Sequence, residues 1–179
     1  MSFRTESLLL IIDVQGRLAE AMWRRDLLLD RLGRLSSGAR ALGMPIVCTE
    51  QVPEKLGPTV PELVQRLAGT ERWPKRTFSC WRDRRIAEHI ETHQRPCIWL
   101  AGIESHVCVY QTAADLLRAG YRVEAIADAI SSRTEEDRQA GMDRMRAMGA
   151  GLMTVEMALF EALETAEGDD FRAIHKIVK

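Results

Sequence analysis

Short, wholly apolar runs alternate along the chain with longer stretches in which apolar residues recur every three or four positions. These two periods predict strands and helices respectively. Leu8-Leu-Leu-Ile-Ile12 leaves no polar position for solvent and so predicts a strand buried on both faces of a parallel sheet, ending at Asp13. Over residues 24–42, Leu28, Leu32, Leu35, Ala39 and Leu42 share one helical face, and Gly43 offers the stop. Residues 44–49 give a second strand. Residues 50–59, with two prolines and a glycine, predict an irregular covering loop.

The pattern continues with a short helix over 61–67, an extended segment at 73–78 and a charged helix over 82–94 that turns Ile86 and Ile90 inward. A third apolar strand, 96–101, leads to a helix over 108–119 closed by Gly120. A strand at 121–127 enters Asp128, a helix covers 135–148, and a last short strand 151–155 precedes helices over 156–166 and around Phe171, Ile174 and Val178. This alternation predicts one domain over residues 1–179, a three-layer α/β/α fold with a mainly parallel, Rossmann-like central sheet. Ligands in such sheets bind beyond the carboxyl ends of the strands, where Asp13, Glu50, Gly102 and Asp128 are expected.

Composition narrows the functional classes. The 25 basic and 26 acidic side chains leave a net charge of −1, so no strong field favours nucleic acid or an anionic membrane. No run reaches the roughly 20 apolar residues of a membrane span, and the first residues lack a basic patch followed by an apolar stretch. A cytoplasmic protein acting on a small molecule is the expectation. Cys48, Cys80, Cys97 and Cys108 are widely spaced and contain no Cys-x-x-Cys pair, which argues against disulfides and a structural zinc.

Cys108 stands out because it falls where a buried strand turns into a helix, in Gly102-Ile-Glu-Ser-His-Val-Cys108. Free amides and the dipole at a helix start lower a cysteine pKa, so this thiol is a candidate nucleophile, against the alternative of a small buried hydrophobe. Asp13, at a strand end, reads as a base or as a carboxylate bonded to backbone amides. Lys75, between Trp73 and Phe78, reads as a solvated lysine or, beside Asp13 and Cys108, as a charge that favours the thiolate. His89 and His93 lie four apart on a charged helix surface, and His106 is too near Cys108 in sequence for ordinary base geometry. Met142, Met145 and Met148 read as packing. Nucleotide-binding and serine-hydrolase glycine motifs are absent.

Asp13, Lys75 and Cys108 match, in order and context, the trio of the isochorismatase-like cysteine hydrolases, a superfamily that includes nicotinamidases and N-carbamoylsarcosine amidase. The chain resembles most the isochorismatase domain-containing protein subgroup. The motifs that carry this are Thr49-Glu-Gln51, Leu56-Gly-Pro-Thr-Val-Pro-Glu-Leu63, Lys75 with Thr77-Phe-Ser79, Gly102-Ile-Glu-Ser-His-Val-Cys-Val109 and Asp128-Ala-Ile-Ser-Ser-Arg133. The resemblance implies that Asp13 is the general base, Lys75 orients and polarises, and the Cys108 thiolate attacks an amide-like carbonyl to give a thioester. It implies a cis peptide between Ile103 and Glu104, and an oxyanion hole from the backbone N–H groups of Glu104 and Cys108. Glu50, Gln51, Phe78 and Trp81 are the candidate pocket residues, and a homo-oligomer, dimer, tetramer or higher, is implied.

Nicotinamidases bind a metal after the second strand, where this chain has Thr49-Glu-Gln-Val-Pro53 and no histidine; no metal and no other cofactor is therefore expected. Isochorismatases proper lack the cysteine, so the expected reaction is hydrolysis of a small C–N substrate. A non-catalytic binding or scaffold protein and a thiol redox sensor are the competing readings.

Overall fold

A computed structural model describes residues 3–179. The described residues start with a single helical turn, α1 (Phe3–Glu6), then β1 (Ser7–Ile12), α2 (Gly16–Glu20) and the long α3 (Arg25–Ala41). After β2 (Ile46–Gln51) come the short helices α4 (Pro53–Leu56) and α5 (Pro61–Val64), then β3 (Arg72–Lys75), a 3-10 turn (Cys80–Arg82) and α6 (Arg84–Thr92). β4 (Cys97–Ile103) runs into a π-helical turn (Ser105–Val109) and α7 (Tyr110–Arg118). β5 (Arg122–Ser131), α8 (Glu135–Ala147), β6 (Gly151–Met153), α9 (Val155–Leu163) and α10 (Gly168–Val178) complete the chain.

The six strands form one sheet in the order β3-β2-β1-β4-β5-β6, all parallel. Every residue of β1 and β4 is buried, which is why their sequences carry no polar alternation. One core joins Leu9 and Ile11 of β1 to Leu28, Leu32 and Leu35 of α3, Ala158 and Leu159 of α9 and Ile174 of α10. The other joins Leu8, Leu10 and Ile12 to Ile86 and Ile90 of α6, Leu116 of α7 and Met142 and Met145 of α8. The expected three-layer α/β/α fold is present.

Helix starts follow local chemistry. Thr134 accepts a hydrogen bond from the Asp137 N–H at 3.1 Å, and Glu135, Glu136 and Asp137 fill the first turn of α8 where the dipole favours negative charge. Thr154 caps α9 and Asp83 caps α6 in the same way. The loop read as wholly irregular contains α4, because Pro53 sits at the first turn, where its missing N–H costs nothing. β4 and β5 also run farther than their apolar runs: Asp128 lies inside β5 and Gly102 inside β4, while Glu50 is within β2. Only Asp13, of the four expected strand-end residues, directly follows its strand.

The strand order reverses between β1 and β4, the crevice at which such sheets bind ligands. There Gly102, at φ +113°, brings β4 so close to β1 that a Cβ would lie 2.2 Å from the Ile12 carbonyl oxygen. Only glycine fits that approach.

Candidate active site

Three strands deliver one side chain each to this crevice. Asp13 leaves β1 in the left-handed region at φ +54°, which swings its carboxylate across the sheet end instead of along the strand. Lys75 closes β3, paired in register with Gln51 of β2. Beyond β4 the Ile103–Glu104 peptide is cis, and the π turn that follows lifts Cys108 toward Asp13 and Lys75. The Val107 and Val109 N–H groups both donate to the Glu104 carbonyl at 3.1 Å, which fixes that turn.

The Lys75 ammonium is completely buried and donates to Asp13 Oδ2 at 2.7 Å, Gln51 Oε1 at 2.6 Å, the Phe78 carbonyl at 3.0 Å and the Thr77 carbonyl at 3.1 Å. Cys108 Sγ is 3.9 Å from it. Thr49 donates to the other Asp13 oxygen, Oδ1, at 2.8 Å. Sequence reasoning gave Thr49 no role, although it and Gln51 share one face of β2 as polar residues two apart at a strand end, a spacing that carries the signal.

Burial pushes the Asp13 carboxyl above the ordinary carboxylate range, opposed by the Lys75 charge and by hydrogen bonds from Lys75, Thr49 and the Cys108 thiol. Burial works against the charge on Lys75, but its neighbours Cys80, Asp13 and Cys108 raise its pKa on balance. The Cys108 thiol is raised, first by burial and then by the neighbouring Asp13 charge. This corrects the expectation of a pKa lowered by a helix start. Cys108 is only 7% exposed and sits inside the π turn, next to a carboxylate that disfavours a second anion. The resting pair is a thiol beside a buried carboxyl group, each raised above its ordinary range by burial.

The pocket candidates separate. Phe78 is exposed, and its carbonyl accepts from the Lys75 ammonium. Gln51 is buried, its amide turned to Lys75. Glu50 faces the other layer, where its carboxylate accepts from the Thr59 N–H at 2.7 Å and hydroxyl at 2.6 Å, since neighbours along a strand point to opposite faces. Trp81 packs edge-on to Tyr121, which leads into β5 at the opposite end of the sheet from Cys108. His106 turns its Nδ1 to Ser132 Oγ at 3.0 Å, and His89 stacks on Trp73. A surface cleft of about 630 Å³ runs past Lys75 between Val52 and Arg85, but neither Asp13 nor Cys108 lines it. Among the described residues, no group of three or more His, Cys, Asp and Glu side chains is placed to hold a metal ion.

Residues 7–157 match the Isochorismatase domain family. The chain is 34% identical over 178 residues to the "Secreted isochorismatase effector Isc1" of Phytophthora sojae (strain P6497), covering 97% of this chain and 84% of that protein. It is 36% identical over 176 residues to "Isochorismatase domain-containing protein 2" of Bos taurus, covering 97% of this chain and 83% of that one. A solved structure named "MAR1 Ribonuclease" from Caenorhabditis elegans superposes with a TM-score of 0.92 at 33% identity, over 98% of this chain and 90% of that one.

Proposed function

The chain belongs to the isochorismatase domain family, a family of hydrolases, and from that premise we propose that it is a cysteine hydrolase that cleaves a C–N bond of a small molecule. The observation that carries this reading is the buried Asp13, Lys75 and Cys108 group. A thiol held against a basic carboxylate, with a fixed cation beside both, suits nucleophilic attack on a carbonyl.

In this mechanism Asp13 takes the thiol proton as Sγ attacks the carbonyl carbon. The backbone N–H groups of Glu104 and Cys108 receive the developing oxyanion, each worth about 2.7 to 4 kcal/mol of barrier. Collapse breaks the C–N bond, the leaving nitrogen takes the proton from Asp13, and a thioester remains on Cys108. Water then attacks the thioester, its proton passes to Asp13 and returns to the departing thiolate. Lys75 keeps its proton throughout, because its N–H groups are taken up by carboxylate, amide and carbonyl acceptors. Phe78 is the proposed pocket wall.

The four cysteines are free thiols, which fits a reducing compartment, and we place the protein in the cytoplasm as a homo-oligomer. Among the described residues no helix is long and apolar enough to cross a membrane.

A panel of small amides, ureas and carbamates tests the reading, with a labelled RNA included because of the nematode neighbour's name. The expected outcome is release of amine or ammonia from at least one C–N substrate, a thioester mass on Cys108 at short times, and no turnover by Cys108→Ser. Asp13→Asn should lower the rate by about 10² to 10⁴. RNA cleavage that survives Cys108→Ser, with no C–N substrate turned over, would sink the proposal.

A further inference from the structure

Lys75 makes its shortest contact not with Asp13 but with a neutral amide. Gln51 Oε1 accepts from the ammonium at 2.6 Å, while Gln51 Nε2 donates to the Arg76 carbonyl at 3.1 Å. The amide therefore has one orientation, oxygen toward the cation. Its backbone is locked as well: the Gln51 N–H donates to Gln15 Oε1 at 2.6 Å, and Gln15 Nε2 donates to the carbonyls of Gln51 at 2.9 Å and Gly57 at 2.8 Å. Gln15 lies two residues beyond Asp13 and is fully buried. The two glutamines tie the segment that carries Asp13 to the end of β2, and β2 to β3 at Lys75.

An ammonium has three N–H groups. Gln51 and Asp13 take two at short range, and the carbonyls of Thr77 and Phe78 share the third. Cys108 Sγ also accepts from the ammonium, at 3.9 Å the longest of its five contacts. From this geometry, and resting on the cysteine-hydrolase reading above, we infer that Gln51 is a positioning residue that sets how much of the Lys75 charge reaches Cys108. Its neutral oxygen occupies one N–H without cancelling the positive charge. A carboxylate at the same place would cancel that charge, and an apolar side chain would release the N–H toward sulfur.

Two near-isosteric variants with opposite electrostatic consequences test this. In Gln51→Glu the second anion on Lys75 withdraws support from the thiolate, so the pH inflection of Cys108 alkylation by iodoacetamide moves up and alkylation at pH 8 slows about tenfold, the ratio for one pKa unit. In Gln51→Met the freed N–H approaches sulfur and the inflection moves down. A purely structural role would loosen both variants alike and shift both in the same direction.

Opposite shifts in folded proteins support the inference; shifts in one direction, no shift in either, or failure of both variants to fold overturn it. Wild type reports separately on the underlying reading. If wild-type Cys108 is unreactive from pH 6 to 10, it is the nucleophile assignment that fails, whereas a wild-type inflection that neither variant moves removes Gln51 alone.

Discussion

Thr49 holds the oxygen of Asp13 that Lys75 does not, at 2.8 Å, and a hydrogen bond to the charged form of a carboxyl lowers its pKa. Thr49→Val keeps the shape and removes the donor, so Asp13, already raised by burial, should rise further. Because the mechanism needs Asp13 unprotonated, the acid limb of the kcat/KM profile moves to higher pH, with little change on the alkaline side. A profile that superposes on wild type would remove Thr49 from the site. The residue also marks how far single positions are legible in a sequence. Asp13 and Cys108 announce themselves by chemical type and by context at strand ends, and Lys75 joins them only through the resemblance to a known trio. Thr49 and Gln15 do not announce themselves, and Gln51 stood out only as a pocket candidate through the resemblance, because threonines and glutamines occur throughout surfaces and loops, and only the register of β2 against β1 and β3 brings Thr49 and Gln51 to the carboxylate and the ammonium. Glu50 and Gln51 looked equivalent as neighbours in one motif, yet the two-residue period of the strand sends them to opposite layers.

At the scale of elements, α8 presses directly on the π turn that carries Cys108. A Cβ added to Gly141 would stand 2.4 Å from Ser105 Oγ and 2.6 Å from the Ser105 carbonyl carbon, so helix or turn must move. Gly38 offers a matched comparison in the other layer, where an added Cβ would meet Leu159 side-chain carbons at 2.4 and 2.7 Å. Both alanine variants overpack the core and should each lose about 1 to 3 kcal/mol of unfolding free energy. Gly141→Ala alone should also lower kcat, by about 10², since a displacement of about 1 Å at a reacting group has that effect. Equal kcat losses in the two variants would show that α8 does not position the thiol. The strands and long helices were readable because burial on both faces of a sheet, or along one stripe of a helix, leaves an imprint in residue type. The π turn left none: its geometry comes from two N–H groups converging on the Glu104 carbonyl, and of its residues only Cys108 and Val109 read as the start of a regular helix. β5 ran past its apolar stretch for a similar reason. Asp128 inside it is polar but satisfied, accepting from the Val155 N–H at 2.8 Å and facing Arg31.

For the whole molecule, the same burial that tunes the site makes the fold sensitive to alkali. Cys48 is pushed up to about 12 and Cys80 to about 11 by burial, from an ordinary value of 9.0. The folded chain keeps these protons where the unfolded chain gives them up, so the stability they contribute is complete below pH 9 and declines as pH rises toward 11 and 12. Each thiol removes about 1.4 kcal/mol per pH unit within its window. Cys108 and Lys75, both raised, act in the same direction. Against a total of about 5 to 15 kcal/mol for a domain, the two thiols together remove roughly 5 kcal/mol over two pH units above 9, a large share of that stability. Melting temperature measured from pH 8 to 10.5 should therefore fall steeply in wild type. Cys48→Ala lowers stability at every pH through the cavity it leaves, but removes one titrating group, so its melting temperature should fall less steeply above pH 9. It is the slope, not the absolute temperature, that separates proton linkage from lost packing. A variant whose curve runs parallel to wild type across that range would show that the Cys48 thiol ionises alike in the folded and unfolded chains, and that its burial does not set the alkaline limit of the fold.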